Sequence, residues 1–159
     1  MKRRLPCWAL IIGLLAWLGV VGQHTMGQGD FKIVKEWKGG FSGVNKPGQR
    51  VIKDGKAWAE LWNEVHSHVT PKPEVPAVDF DKYMVLAVFM GTKNTGGFAI
   101  RITNIQYDEK ADKLRVAVQE TSPAPGSIVI QAITQPFHIV VVPRSDKAVE
   151  FKIEKTVGK

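Results

Sequence analysis

Cysteine is nearly absent: the 159 residues contain one, Cys7, ahead of everything that reads as a folded domain. The body of the chain therefore has no disulfide framework and no thiol nucleophile. Histidine is scarce too, at four residues (His24, His66, His68, His138). His66 and His68 stand two apart near a helix end, whereas a helical zinc pair needs i, i+4 spacing. That pair reads as helix-end solvation and dipole compensation. His138, set among valines, reads as a satisfied core or edge residue. No G-x-S-x-G elbow occurs. Residues 91–97, GTKNTGG, form no phosphate loop, since no Lys-Ser/Thr follows and a strand comes next. Asp79 and Asp81 flank Phe80 without the regularly spaced oxygen ligands of a calcium loop. No catalytic residue, no metal ligand and no cofactor site is expected.

Charge of one sign is also lacking. The formal net charge is +7, and Lys2, Arg3 and Arg4 account for three of it, leaving +4 on the remainder. Lysines are scattered singly with no basic stripe, so no nucleic-acid partner is expected. The only long apolar run is N-terminal: residues 7–22, CWALIIGLLAWLGVVG, follow the three cations without a charge. This is the layout of a secretory signal peptide over residues 1–22. It is short for a membrane span, which needs roughly 20 apolar residues, so a membrane is a partner only if the segment stays uncleaved as an anchor. Residues 23–30, QHTMGQGD, have the composition of a linker, and residues 31–159 form the domain. At about 130 residues it can be stabilised by its core alone, burying roughly two-thirds of its unfolded surface.

In that domain, residues 31–37 alternate as a half-buried strand with Phe31, Ile33, Lys35 and Trp37 on one side. Residues 38–49 are glycine-rich loop, and residues 50–53 suit a brief edge strand. Asp54 is an N-cap, opening a helix over residues 55–68 whose Trp58, Leu61, Trp62 and Val65 form one apolar stripe. Pro71 and Pro73 lie beyond its end. Residues 83–90 are apolar on both faces, as in a central strand. Residues 91–97 then read as a hairpin turn into a strand beginning at Phe98. The strand's parity switches between Ile102 and Ile105, which calls for a bulge near Thr103 and Asn104. Residues 108–112, DEKAD, are a charged hairpin turn, and Leu114, Val116 and Val118 face inward. Residues 120–126 are loop, residues 127–135 extended chain, and residues 137–142 and 149–153 strands. The fold class is α+β: a β-rich antiparallel sheet arrangement, sandwich or open barrel-like, with one amphipathic helix packed on it.

Several short motifs occur in a fixed order: F-S-G at 41–43, A-W-x-x-L-W at 57–62, V-D-F at 78–80, T-G-G-F at 95–98, S-P-x-P-G at 122–126 and T-x-P-F-H-I-V at 134–140. Together they resemble the PrcB C-terminal domain, or protease-stability-complex PrcB-like family, over about residues 35–145. The resemblance implies an exported bacterial domain, periplasmic, envelope-bound or extracellular. Its family takes its name from a non-catalytic subunit that stabilises a secreted subtilisin-like protease. Members are often lipoproteins, whereas Cys7 here precedes the apolar run.

The expected activity is thus a non-enzymatic interaction domain whose partner is another exported protein, a subtilisin-like protease first among them. Two loops are the expected partner-binding sites: Lys93, Asn94, Thr95, Gly96 and Gly97 in one, Ser122, Pro123, Pro125 and Gly126 in the other. Two alternatives stand beside this reading. Residues 94–98 and 135–137 resemble two loops of chagasin-like protease inhibitors, though without the proline of the first and the arginine of the second. A small-ligand or glycan-binding module would instead stack a sugar on Trp37 or Tyr107.

Overall fold

The computed structural model describes residues 31–158, so the signal segment and linker expected over residues 1–30 lie outside the described residues. The elements in order are β1 (Lys35–Gly39), β2 (Pro47–Ile52), α1 (Gly55–Val65), β3 (Tyr83–Met90), β4 (Ala99–Asp108), β5 (Lys113–Ser122), β6 (Phe137–Pro143) and β7 (Ala148–Val157). They build two sheets, a four-stranded one in the order β1-β6-β3-β2 and a three-stranded one in the order β4-β5-β7. The described residues thus have the expected α+β class, two packed sheets with one helix, in the sandwich form of the two arrangements expected.

The first sheet lies in the middle because β3 and β6 are apolar on both faces. Val85, Ala87 and Phe89 of β3, with Ile139 and Val141 of β6, turn towards α1. Met84, Leu86, Val88 and Met90, with Val140 and Val142, turn towards the second sheet and meet Ile100, Ile102, Ile105, Leu114, Val116 and Val118. Each fully buried aliphatic or aromatic side chain stabilises the fold by about 1.5–3 kcal/mol.

The helix presents the expected stripe, with Trp58, Leu61, Trp62 and Val65 buried. The Asp54 carboxylate accepts the Ala57 N–H at 2.8 Å, capping the first turn. Trp37 from β1 closes a cage on Trp58 and Trp62, with ring centroids 5.3–5.5 Å apart. The indole N–H of Trp58 donates to the Pro76 carbonyl at 2.8 Å, and that of Trp62 to the Pro73 carbonyl at 3.2 Å. The prolines after α1 therefore belong to a strap over the tryptophans. The helix itself stops at Val65, three residues short of the expected end.

Three further expectations are corrected. Residues 91–97 are not a hairpin turn, because β3 and β4 belong to different sheets. Both edges of β3 are already taken by β2 and β6, so the chain after Met90 has to cross to the other sheet. The segment from Phe31 to Trp37 is not one regular strand. Phe31 and Ile33 pack into the inter-sheet core, whereas Trp37 packs under the helix. The Phe31 N–H donates to Ile105 in one sheet and the Val34 N–H to Val141 in the other, so the chain bridges the two before β1 begins. Pairing is antiparallel throughout except that β7 runs parallel to β5, since β6 lies between them in sequence but in the opposite sheet.

The bulge in β4 falls where the parity switch requires it: the register with β5 slips between Ile102 and Asn104, leaving Ile102 and Ile105 both buried. The bulge also explains His138. Its Nδ1 accepts the Ile102 N–H across the sandwich at 2.9 Å. The ring proton is therefore on Nε2, which donates to Glu36 Oε2 at 3.1 Å. Burial holds the imidazole below its ordinary pKa, and the Glu36 carboxylate only partly offsets that.

Candidate interaction site

Three loops gather at the end of the sandwich where β1 finishes and β6 starts: residues 40–46, 91–98 and 123–136. Main-chain hydrogen bonds tie them to one another. Lys93 and Thr134 exchange N–H···O bonds of 2.8 and 2.9 Å, the Gly96 N–H donates to Ile130 at 2.9 Å, and the Thr134 hydroxyl donates to the Thr95 carbonyl at 2.8 Å. The Gln135 N–H donates to Gly40 at 2.8 Å, and the Thr92 N–H to Asn45 at 3.0 Å. The loops form one tied platform.

Glycine makes this approach possible. Gly91 has φ +67, and a Cβ there would lie 2.8 Å or less from Asn45 O and Pro47 N. A Cβ on Gly96 would lie 2.4 Å from Ile130 Cγ1, and one on Gly97 (φ +83) would lie 2.9 Å from Pro123 and Val129. The segment that comes close to Gly96 and Gly97 is the protein's own β5–β6 loop.

The two stretches singled out in the sequence therefore lie together. Lys93 is half-buried, with its ammonium 5.4 Å from the centre of the Phe98 ring. Asn94 and Gly97 are exposed, Thr95 is half-buried, and Gly96 is buried. Ser122 is the last residue of β5, where its carbonyl accepts the Gly158 N–H. Pro123 is half-buried against Gly97, while Pro125 and Gly126 are exposed, Gly126 with φ +81.

Sequence reasoning missed the most conspicuous members. Ile128, Ile130 and Ile133 are exposed by 104, 61 and 62 %, and Phe41 by 53 %. Residues 127–135 read as extended chain because Ile-Val-Ile alternation is what a strand shows. They instead form an irregular loop whose only sheet-like contact is the Lys93–Thr134 bridge. The available signal was the flanking Pro125-Gly126 and Pro136, residues that punctuate loops. Residues 40–46, 91–98 and 123–136 contain Lys46 and Lys93 and no Asp or Glu.

Elsewhere, His66 stacks on Trp62 at 4.2 Å and its Nδ1 meets the Trp62 carbonyl at 2.9 Å, while His68 is exposed. Among the described residues no three His, Cys, Asp or Glu side chains group closely enough to hold a metal ion. No helix among them is long and apolar enough to cross a membrane. Two shallow clefts open on the surface. One of about 240 Å³ lies beside Tyr107, Asp108 and Arg115, and one of about 210 Å³ lies beneath the platform between Phe98, Phe137, Lys38 and Arg101. Of the two aromatics considered for stacking a sugar, Trp37 is half-buried against Trp58 and Trp62, and Tyr107 is half-buried with the Lys147 ammonium 5.7 Å from its ring centre and its hydroxyl donating to Asp112.

The fold and site define a helix-backed β-sandwich that displays a cationic, apolar loop platform at one end. Residues 84–143 match the family model described as PrcB C-terminal, the family that the ordered motifs resemble. The matched span runs from β3 through β6 and includes both the 91–98 and 123–136 loops. No curated protein and no solved structure matches the chain.

Proposed function

We propose that the protein is an exported, non-enzymatic interaction domain that engages another exported protein through the 91–98 and 123–136 loops. The observation that carries this reading is the trio Ile128, Ile130 and Ile133, exposed on a loop that main-chain bonds hold in place. Each isoleucine left in water forgoes about 1.5–3 kcal/mol of burial. Apolar groups fixed in solvent on a tethered loop suit recognition by a second protein. Lys46 and Lys93, with no carboxylate in the same loops, favour a partner surface that is apolar with acidic groups at its margin. The PrcB C-terminal match makes a subtilisin-like protease, held and stabilised by this domain, the first partner to test. The basic and then apolar N-terminal segment supports a periplasmic, envelope or extracellular location.

Site-specific photo-crosslinking in the native host tests this. A photoreactive residue at Ile130 is expected to capture one exported protein, identified by mass spectrometry, and one at Lys110 on the opposite end to capture none. Ile128→Ser with Ile133→Ser is expected to abolish the adduct. Equal capture from both ends, or capture only of cytosolic proteins, would sink the proposal.

The Lys93–Thr134 bridge also sets residues 94–98 beside residues 135–137, the two stretches with inhibitor-like character. That supports direct protease inhibition as a second reading. Near-stoichiometric inhibition of a purified papain-like or subtilisin-like protease would select it. A longer protease half-life with unchanged activity would select the stabilising role.

A further inference from the structure

Among the described residues four strands lie at sheet edges: β1, β2, β4 and β7. An uncovered edge is a row of unpaired main-chain groups that invites another strand. Three of these edges are blunted. β1 has five residues and carries Lys35, Glu36 and Lys38. β2 has six, begins at a proline, and is tied to α1 by the Arg50–Glu64 ion pair of 2.6 Å. β4 has its bulge, and its Ile102 N–H and Ile105 carbonyl are taken by His138 and Phe31. By contrast, β7 has ten residues in unbroken register with β5 on one side and, among the described residues, no strand on the other. Ile153 and Val157 on it are exposed by 38 and 63 %.

We propose that β7 pairs antiparallel with β7 of a second copy of this chain, about a two-fold axis at Ile153, joining two three-stranded sheets into one of six. The charge pattern selects both the occupant and the register. A two-fold axis perpendicular to the sheet keeps each face on its own side, so only residues of like parity can oppose one another. With the axis at Ile153, Lys152 of each copy opposes Glu154 of the other, and Glu150 opposes Thr156 on the same outer face. On the inner face Ile153 meets Ile153, Val149 meets Val157, and Phe151 meets Lys155. Opposite charges across a strand pair attract, and like charges repel. An axis at Lys152 would oppose Lys152 to itself and Glu150 to Glu154. One at Glu154 would oppose Glu154 to itself. One at Phe151 would set Lys147 against Lys155 and leave Thr156 and Val157 unpaired. The Ile153 axis pairs residues 149–157 with no like charges opposed, and it also covers the two apolar residues of β7 that the monomer leaves in water.

Sedimentation equilibrium of the purified protein over a concentration series is expected to show a monomer–dimer equilibrium. Lys152→Glu places four carboxylates around the axis and is expected to weaken the dimer by about tenfold. Glu154→Lys is expected to do the same, and the double variant K152E/E154K to restore dimerisation. Both positions face solvent, and circular dichroism checks that each variant stays folded. In a Cys7→Ser background, Ile153→Cys is expected to cross-link between copies under mild oxidation, since opposed Cβ atoms lie roughly 4.5–5.5 Å apart. Thr156→Cys, opposite Glu150, is expected not to cross-link. A monomer at every concentration, a dimer indifferent to Lys152→Glu, or failure of the double variant to restore pairing overturns the proposal.

Discussion

The two ends of the sandwich are built on opposite principles. At one end the 108–112 turn and its surroundings are charged and paired. Arg115 reaches Asp108 at 2.8 Å, Lys147 reaches Asp112 at 2.6 Å, and the Asp108 carboxylate accepts the Lys110 and Ala111 N–H groups. At the other end, three loops without a carboxylate expose isoleucine and phenylalanine, and are joined by main-chain bonds through glycines. The first end is satisfied by itself and by water. The second is organised in backbone, with its apolar side chains left in water. Both ends use a residue with positive φ. Asp112 (φ 51) does so in an open turn, whereas Gly91 (φ +67) does so with Asn45 and Pro47 packed against it.

That difference sets the largest expected effect. Gly91→Val combines a left-handed backbone with a direct clash, and is expected to cost roughly 2–4 kcal/mol in denaturant unfolding. It should also loosen the whole platform, because the 40–46 and 91–98 loops meet there. Next comes the bond that crosses between the sheets. His138→Leu leaves the Ile102 N–H buried and unpaired, for about 1–3 kcal/mol. Its pH signature is separate from that loss. The folded imidazole resists protonation while the unfolded one titrates near its usual 6.5. The unfolded chain therefore binds more protons as pH falls below that value, and stability is lost in that direction. Unfolding free energies at pH 8 and pH 5.5 are expected to converge in the variant. An unchanged difference would show that some other group sets the slope.

Smaller in stability, but decisive for the comparison, are the platform isoleucines. Ile128→Ser with Ile130→Ser is expected to change stability by no more than about 0.5 kcal/mol, and to weaken partner capture by about tenfold or more. Loss of capture together with unfolding would remove the distinction between the two ends.

Much of this arrangement was legible in the chain, for reasons tied to particular residues. Period fixed the helix, since Trp58, Leu61, Trp62 and Val65 admit no strand reading. Parity fixed the bulge, since Ile102 and Ile105 cannot share a face otherwise. Pairing was not legible where it depends on distant competition. Residues 91–97 have the glycines of a hairpin, and only the equally apolar β6, some fifty residues later, shows that β3 has no free edge left for β4. The platform loops were found by their glycines and prolines, but the isoleucines were not. Alternation reports the shape a segment prefers, and whether a neighbour covers it is decided elsewhere in the fold.

The smallest effect belongs to the charged end. Lys147 lowers the pKa of Asp112, and the Tyr107 hydroxyl adds to that by donating to the same carboxylate. A carboxylate so held stabilises the fold above its unfolded pKa and loses that contribution as pH falls through the lowered value. These groups are exposed, however, and solvent screens such pairs heavily. Lys147→Ala is therefore expected to leave the melting temperature at pH 7 and partner capture unchanged within error. Any difference should appear only in acid, below the usual carboxylate range, and shrink as salt is added. Because that window lies below the one governed by His138, a pH series on the two variants separates them. A Lys147→Ala variant that lost stability between pH 8 and pH 5.5 would mean that the charged end, too, is held by something more than its own ion pairs.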